Sequence, residues 1–153
     1  MAGVKEGDRA PEFKLLDKDG VAHGVGVTKS DLIVLFFYPK DSTPGCTVES
    51  QEFSSAIDDF AQRGAKVIGI SGGDQRSKSK FCSKYDLKVD LVSDSDFAVS
   101  RAYGVFGEKK FMGRTYEGIH RTTFVIDRSG KVLKVYEDVT PKGHASEVLE
   151  ALR

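Results

Sequence analysis

Leu32-Ile33-Val34-Leu35-Phe36-Phe37-Tyr38, followed by Pro39-Lys40-Asp41-Ser42-Thr43-Pro44-Gly45-Cys46, is the stretch from which the rest of the chain is read. An unbroken apolar run of strand length, closed by turn formers, fits a buried strand. Beyond it Val48, Phe53, Ile57 and Phe60 recur at roughly helical spacing, so Pro44 to about Gln62 is expected to form an amphipathic helix. Thr43 is placed as the N-cap, and Pro44 suits the first helical position, where its missing N–H costs nothing. Cys46 then falls in the first turn, beside free backbone N–H groups and the positive end of the helix dipole. Those surroundings favour thiolate, the reactive form of cysteine. A free cysteine more often serves as a small buried hydrophobe. Here the flanks are polar and turn-forming, unlike a core position, and they favour a reactive thiol.

The chain of 153 residues is the ordinary size of one domain, and we expect a single domain over 1–153. At that length a chain can bury roughly 70% of its unfolded surface and needs neither disulfide nor metal to hold together. Lys plus Arg is 23 and Asp plus Glu is 23, giving no net charge. The electrostatic footprint of a nucleic-acid binder or a polybasic membrane protein is missing, so neither partner is expected. The apolar runs are strand-length, well short of the roughly 20 residues that span a bilayer. The start, Met1 to Asp8, lacks the apolar core of a secretory signal, which makes a reducing, cytoplasmic setting the default; an organelle or the nucleus stays open. Cys46 and Cys82 are too few for a disulfide scaffold and form no Cys-x-x-Cys pair. In a reducing compartment a bond between them would be transient rather than structural. His23, His120 and His144 are scattered, so no metal site is expected, and no cofactor is implied.

Along the chain, Pro11 to Leu16 and the turn Asp17-Lys18-Asp19-Gly20 suggest a small N-terminal hairpin reaching about Val27. After the cysteine-bearing helix, closed by Arg63-Gly64, Lys66 to Ile70 reads as a second buried strand. Gly72-Gly73-Asp74 lacks phosphate-loop spacing and is taken as an ordinary turn. Ser77 to Tyr85 reads as a short helix with Cys82 on it, and its Lys78, Lys80, Lys84, Lys88 series as a solvated face. An extended stretch within Leu87 to Val92 and a helical segment from Asp96 to Tyr103 follow. Next come a polar connection rich in Gly, Lys and Arg, a hairpin of Thr122–Asp127 with Lys131–Tyr136, and a closing helix from Gly143 to Leu152. This order implies an α/β fold with a central mixed sheet flanked by helices.

With strand, turn and helix-start cysteine in place, Pro39-x-x-x-Thr43-x-x-Cys46 resembles the signature of the peroxiredoxins, thiol peroxidases with a thioredoxin-like fold. The extended match from Phe37 through Thr47-x-Glu49 is similar to the PrxQ subgroup, also called bacterioferritin comigratory protein. Two further segments resemble the same subgroup: Lys84-Tyr85-x-Leu87 to Ser93-Asp94, and Phe111 through Arg121-x-Thr123-Phe124-x-Ile126-Asp127. With Pro11-x-Phe13 they cover nearly the whole chain.

The resemblance implies a peroxidatic Cys46 whose thiolate attacks hydrogen peroxide or an organic hydroperoxide and becomes sulfenic acid. It implies that the Thr43 hydroxyl and the Cys46 amide are aimed at the peroxide as donors, that Arg121 supplies a fixed charge and planar donors, and that Pro39 shields the pocket. Arg121 as a surface ion pair and Pro39 as a strand terminator are the competing readings. Glu49 either orients Arg121 or faces solvent, and His120 is expected to be a satisfied or exposed histidine rather than a base. The partner that many subgroup members carry five residues after the peroxidatic cysteine is absent, since position 51 is Gln51. Cys82 matches the alternative arrangement, which implies an internal Cys46–Cys82 disulfide reduced by thioredoxin or a similar dithiol. The competing reading is a packed Cys82 and a single-cysteine enzyme using an external thiol. A thiol–disulfide reductase is the competing enzyme, and a non-enzymatic redox sensor or holdase is the alternative of a different class. A monomer or weak dimer is expected.

Overall fold

Adjacent side chains on a strand point to opposite faces, so an unbroken apolar run can be buried only if both faces of its sheet are covered. The computed structural model, which describes residues 3–152, shows that arrangement. In chain order the elements are β1 (Leu15–Leu16), β2 (Ala22–His23), β3 (Leu32–Phe37), α1 (Pro44–Ser55), α2 (Ile57–Gln62), β4 (Ala65–Ser71) and α3 (Gln75–Tyr85). Then follow β5 (Asp90–Ser93), α4 (Ala98–Ala102), β6 (Phe106–Phe111), β7 (Arg114–Ile119), β8 (Thr122–Asp127), β9 (Val132–Tyr136) and α5 (His144–Ala151). The central five-stranded sheet has the order β5-β4-β3-β8-β9. β4 runs parallel to β3 and to β5, whereas β8 is antiparallel to both β3 and β9, so the expected mixed sheet is present.

β3 lies at the centre. Val34, Phe36 and Tyr38 face a core completed by Cys46 and Phe53 of α1, Phe60 of α2, Phe81 and Cys82 of α3, and Val148 of α5. Ile33, Leu35 and Phe37 face a second core with Ile68, Tyr103, Ile119, Phe124 and Val132. The helices are therefore unevenly shared: α4 lies on the second face with the β1–β2 hairpin and β6–β7, and the other helices lie on the first. Phe36 stacks on Phe53 with ring centroids 4.5 Å apart. This fixes α1 against the strand that precedes it. Gly69 makes room for the stack, because a Cβ there would lie 2.5 Å from the Phe36 ring.

Three expectations are corrected. The helix expected to run unbroken to Gln62 is interrupted at Ala56, whose amide is shared between the carbonyls of Glu52 and Phe53, both at 3.2 Å. The polar connection after Tyr103 contains the β6–β7 hairpin, turned by Met112 and Gly113, both at positive φ. Lys78 is not on a solvated face: it is fully buried, while Lys80, Lys84 and Lys88 are exposed. Gly72-Gly73-Asp74 is a turn, and the Asp74 carboxylate caps α3 by accepting from the Ser77 amide at 2.9 Å. Among the described residues no helix is long and apolar enough to cross a membrane.

Candidate active site

The site begins where β3 ends. Tyr38 is buried, Pro39 is half-buried at the strand's exit, and the loop turns through Ser42 at φ 63° into α1. Thr43 occupies the N-cap with extended backbone, but its side chain does not cap the helix. The hydroxyl instead donates to the Lys40 carbonyl at 2.8 Å, while the Thr43 carbonyl accepts from the amide and hydroxyl of Thr47 at 2.9 and 2.7 Å. With its proton committed to Lys40, Thr43 Oγ1 has lone pairs rather than a proton to offer, which corrects the expected donor role of this hydroxyl. Gly45 and Cys46 are in the first turn, where amides have no intrahelical acceptor.

Cys46 is completely buried. Burial alone would fit a structural thiol, but the Arg121 guanidinium reaches it, with Nη2 3.4 Å from Sγ. Arg121 stands just before β8, and β8 pairs with β3, so the sheet carries the arginine to the start of α1. Its other arm, Nη1, donates to Glu49 Oε1 at 2.7 Å. Glu49 lies one turn beyond Cys46 and is 1% exposed. Of its two readings, the fold selects the one that faces Arg121. Burial opposes the arginine's charge, yet Cys46 and Glu49 together hold Arg121 above its ordinary range.

Glu49 is pushed from 4.5 up to about 7, chiefly by burial and against the pull of Arg121. Its Oε2 has no hydrogen-bond partner among the described residues. An acid raised in this way contributes stability that is complete below pH 4.5 and lost as pH rises through about 7. Measured by urea unfolding at a series of pH values, the wild-type chain is expected to lose about 3 kcal/mol relative to Glu49→Gln between pH 4.5 and 8. A difference that stays flat with pH would contradict the raised carboxyl.

Two site residues went unassigned in the sequence. A Cβ at Gly45 would lie 3.2 Å from Arg121 Nη2 and 3.4 Å from Pro141 Cγ, so the glycine lets the guanidinium lie against the helix start. The available signal was a glycine in a helical turn, which costs stability unless something needs the space. Lys109, on β6, donates to the Ile119 carbonyl at 2.9 Å; burial, then the charge of Arg121, lowers it from the usual lysine range. It belongs to the hairpin that sequence reading missed.

The remaining candidates lie elsewhere. Cys82, on α3, is buried in the same core as Cys46; both are free thiols and are not within bonding distance. Burial pushes the Cys82 thiol up, with Lys18 and Lys78 acting in the opposite direction. His120 bonds the Glu108 carbonyl at 3.1 Å, a satisfied histidine as expected. His23 is brought near Asp17 and Asp90, with donor atoms within 4.8 Å of one another. Asp17 already accepts from His23 and from the Asp19 and Val21 amides, and Asp90 pairs with Lys66, so that cluster is closed upon itself.

Comparison with known proteins places this geometry in a family. The AhpC/TSA family model matches residues 6–135. The chain is 40% identical to Peroxiredoxin Bcp of Escherichia coli strain K12 over 153 residues, covering 100% of this chain and 98% of that protein. A mutant of Xylella fastidiosa PrxQ superposes with a TM-score of 0.92 at 32% identity, covering 99% of this chain and 97% of that one. Xanthomonas campestris bacterioferritin comigratory protein, described as having alkyl peroxide reduction activity, gives a TM-score of 0.85 at 36% identity, over 92% and 89% of the two chains.

Proposed function

The chain belongs to the AhpC/TSA family and is a thiol-dependent peroxidase, in which we propose that Cys46 is the peroxidatic sulfur and Cys82 the resolving one. The observation that carries this reading is the Arg121 fork, one arm on Cys46 Sγ at 3.4 Å and the other on Glu49 at 2.7 Å. A guanidinium fixed beside the sulfur sets a permanent positive charge and planar donors at the reacting atom. It is also in place before charge develops on the leaving oxygen. The Cys46 thiolate attacks the terminal oxygen of the hydroperoxide and the O–O bond breaks. The alkoxide or hydroxide takes up a proton, and Cys46 is left as sulfenic acid. Arg121 and the first-turn amides stabilise the departing oxygen, and Thr43 Oγ1 accepts from the peroxide O–H. Pro39 and the loop limit the water that enters. Alkyl hydroperoxides as well as hydrogen peroxide are the proposed substrates, supported by the alkyl peroxide reduction described for the X. campestris relative.

In the second step the Cys82 sulfur attacks the Cys46 sulfenic sulfur, water leaves and a disulfide forms; a dithiol of the thioredoxin kind then reduces it. A disulfide needs Cα atoms within about 7 Å. The two thiols do not meet in the structure, so α1 or α3 must unwind locally. Burial disfavours the Cys82 thiolate in the closed form, which gives opening a second role: it frees the nucleophile.

A thioredoxin-coupled assay of wild type beside Cys82→Ser tests the assignment. The variant is expected to react once with peroxide and then to lose about tenfold or more in turnover, while peroxide-treated wild type acquires an internal disulfide visible by mass spectrometry. Full turnover by Cys82→Ser, with no such disulfide in wild type, would replace this scheme with a single-cysteine enzyme and an external thiol.

A further inference from the structure

Lys78 is a fully buried lysine on the helix that carries Cys82, and each of its three ammonium protons has an acceptor. These are Asp41 Oδ2 at 2.9 Å, Ser71 Oγ at 2.9 Å and the Gly72 carbonyl at 2.6 Å. Asp41 is equally committed. Its Oδ1 accepts from the Tyr38 hydroxyl at 2.6 Å and from Ser71 at 3.3 Å, and its Oδ2 also accepts from Ser77 at 2.5 Å. This network joins the end of β3, the loop entering α1, the end of β4 and the first turn of α3. Desolvating two charges costs much of their attraction, but here hydrogen bonds to Ser71, Gly72, Tyr38 and Ser77 satisfy the remaining protons and lone pairs, the condition under which a buried pair is net favourable. The pair is also a direct bond between the loop entering α1 and the first turn of α3, the two helices of which one unwinds in the proposed cycle.

Asp41 lies in the loop five residues before Cys46, and Lys78 lies one helical turn before Cys82, on the same face of α3. Unwinding the first turn of α1 moves Asp41; unwinding α3 moves Lys78. Either motion parts the pair and lets water reach both charges. We propose that Asp41 and Lys78 are positioning residues that act as a latch, holding the peroxide-reactive arrangement closed and setting the rate at which Cys82 reaches oxidised Cys46. The proposal rests on Cys82 being the resolving thiol. A tighter latch lengthens the life of the sulfenic acid in the closed pocket, where a second peroxide would carry it to sulfinic acid.

The test compares wild type with Lys78→Met and with the double variant Asp41→Asn/Lys78→Met, which leaves no lone charge buried. Three rates are measured: peroxide reaction with reduced protein, disulfide formation after one equivalent of hydrogen peroxide, and alkylation of Cys82 by iodoacetamide in the reduced state. Both variants are expected to alkylate Cys82 and to close the disulfide about tenfold faster, with a matching fall in sulfinic acid at excess peroxide, while the first reaction with peroxide is no faster. A general loosening of the fold would also expose Cys82, but it would slow the first reaction with peroxide, a rate that loss of the latch alone does not lower. A folded double variant that alkylates Cys82 and forms the disulfide at wild-type rates or slower would overturn the latch. Should both variants fail to fold, Ser77→Ala, which removes one bond and keeps both charges, is expected to raise the same two rates severalfold, and unchanged rates would be the contrary result. If no chain, wild type included, forms the internal disulfide, the Cys82 assignment fails, and the alkylation rates alone decide whether the latch exists.

Discussion

Cys46→Ser is expected to consume no peroxide above the uncatalysed background, a loss on the order of 10⁶-fold in an assay with excess dithiol. A serine hydroxyl in the same pocket can keep a hydrogen bond to Arg121 but cannot accept oxygen to give a sulfenic acid. The second sulfur does not replace it. Among the described residues no guanidinium reaches Cys82, and burial holds it towards the neutral thiol. The substitution is near-isosteric, so the variant is expected to fold, and circular dichroism beside the assay separates lost chemistry from lost structure. Retained consumption would place the oxidisable group somewhere other than Cys46.

Arg121→Met is expected to lower the second-order rate constant for peroxide by about 10² to 10³, the usual cost of losing a fixed donor to developing charge. Methionine fills much of the same volume but leaves Glu49 facing no cation, and a carboxyl already raised to about 7 would then take up a proton more readily. The double variant Arg121→Met/Glu49→Gln removes that unpaired carboxyl, so a rate that stays low in the double variant assigns the loss to chemistry rather than to strain. Arg121→Lys is expected to recover no more than about tenfold, because a single ammonium does not present two coplanar arms to Sγ and Glu49 Oε1 at once. A stopped-flow rate for Arg121→Met within about threefold of wild type would show that the contact is structural.

What was legible in the sequence follows from which forces are local. The apolar run of β3, the helix start at Pro44 and the turn at Arg128-Ser129-Gly130 are written in neighbouring residues, and the sheet was assembled from them. Cys46 could be singled out from its place at a helix start behind a buried strand, and Arg121 because its flanking residues match a family signature. The β6–β7 hairpin escaped because most of it is exposed: Phe111, Met112 and Tyr116 face solvent, so no apolar alternation marks the strands. Its turn uses Met112 at φ 54°, a residue without the usual turn chemistry. Lys78 was misread for a different reason. A lysine among lysines on a short helix looks solvated, and its burial depends on Asp41, 37 residues earlier in the chain. Glu49 had two readings until the sheet brought Arg121 alongside it, and Thr43 was correctly placed at the N-cap while its hydroxyl turned to Lys40 instead of the helix.

The two cysteines differ in one respect that chemistry can report: only Cys46 touches the guanidinium. Treating reduced Cys82→Ser with one equivalent of peroxide in the presence of dimedone, then mapping the adduct by mass spectrometry, captures the sulfenic acid before anything can resolve it. The dimedone mass is expected on the peptide containing Cys46, in near-stoichiometric yield, and to fall sharply when Arg121→Met is added. No adduct at Cys46 while the chain still consumes peroxide, or an equal yield without Arg121, would contradict the assignment of this sulfur and its arginine as the reacting pair.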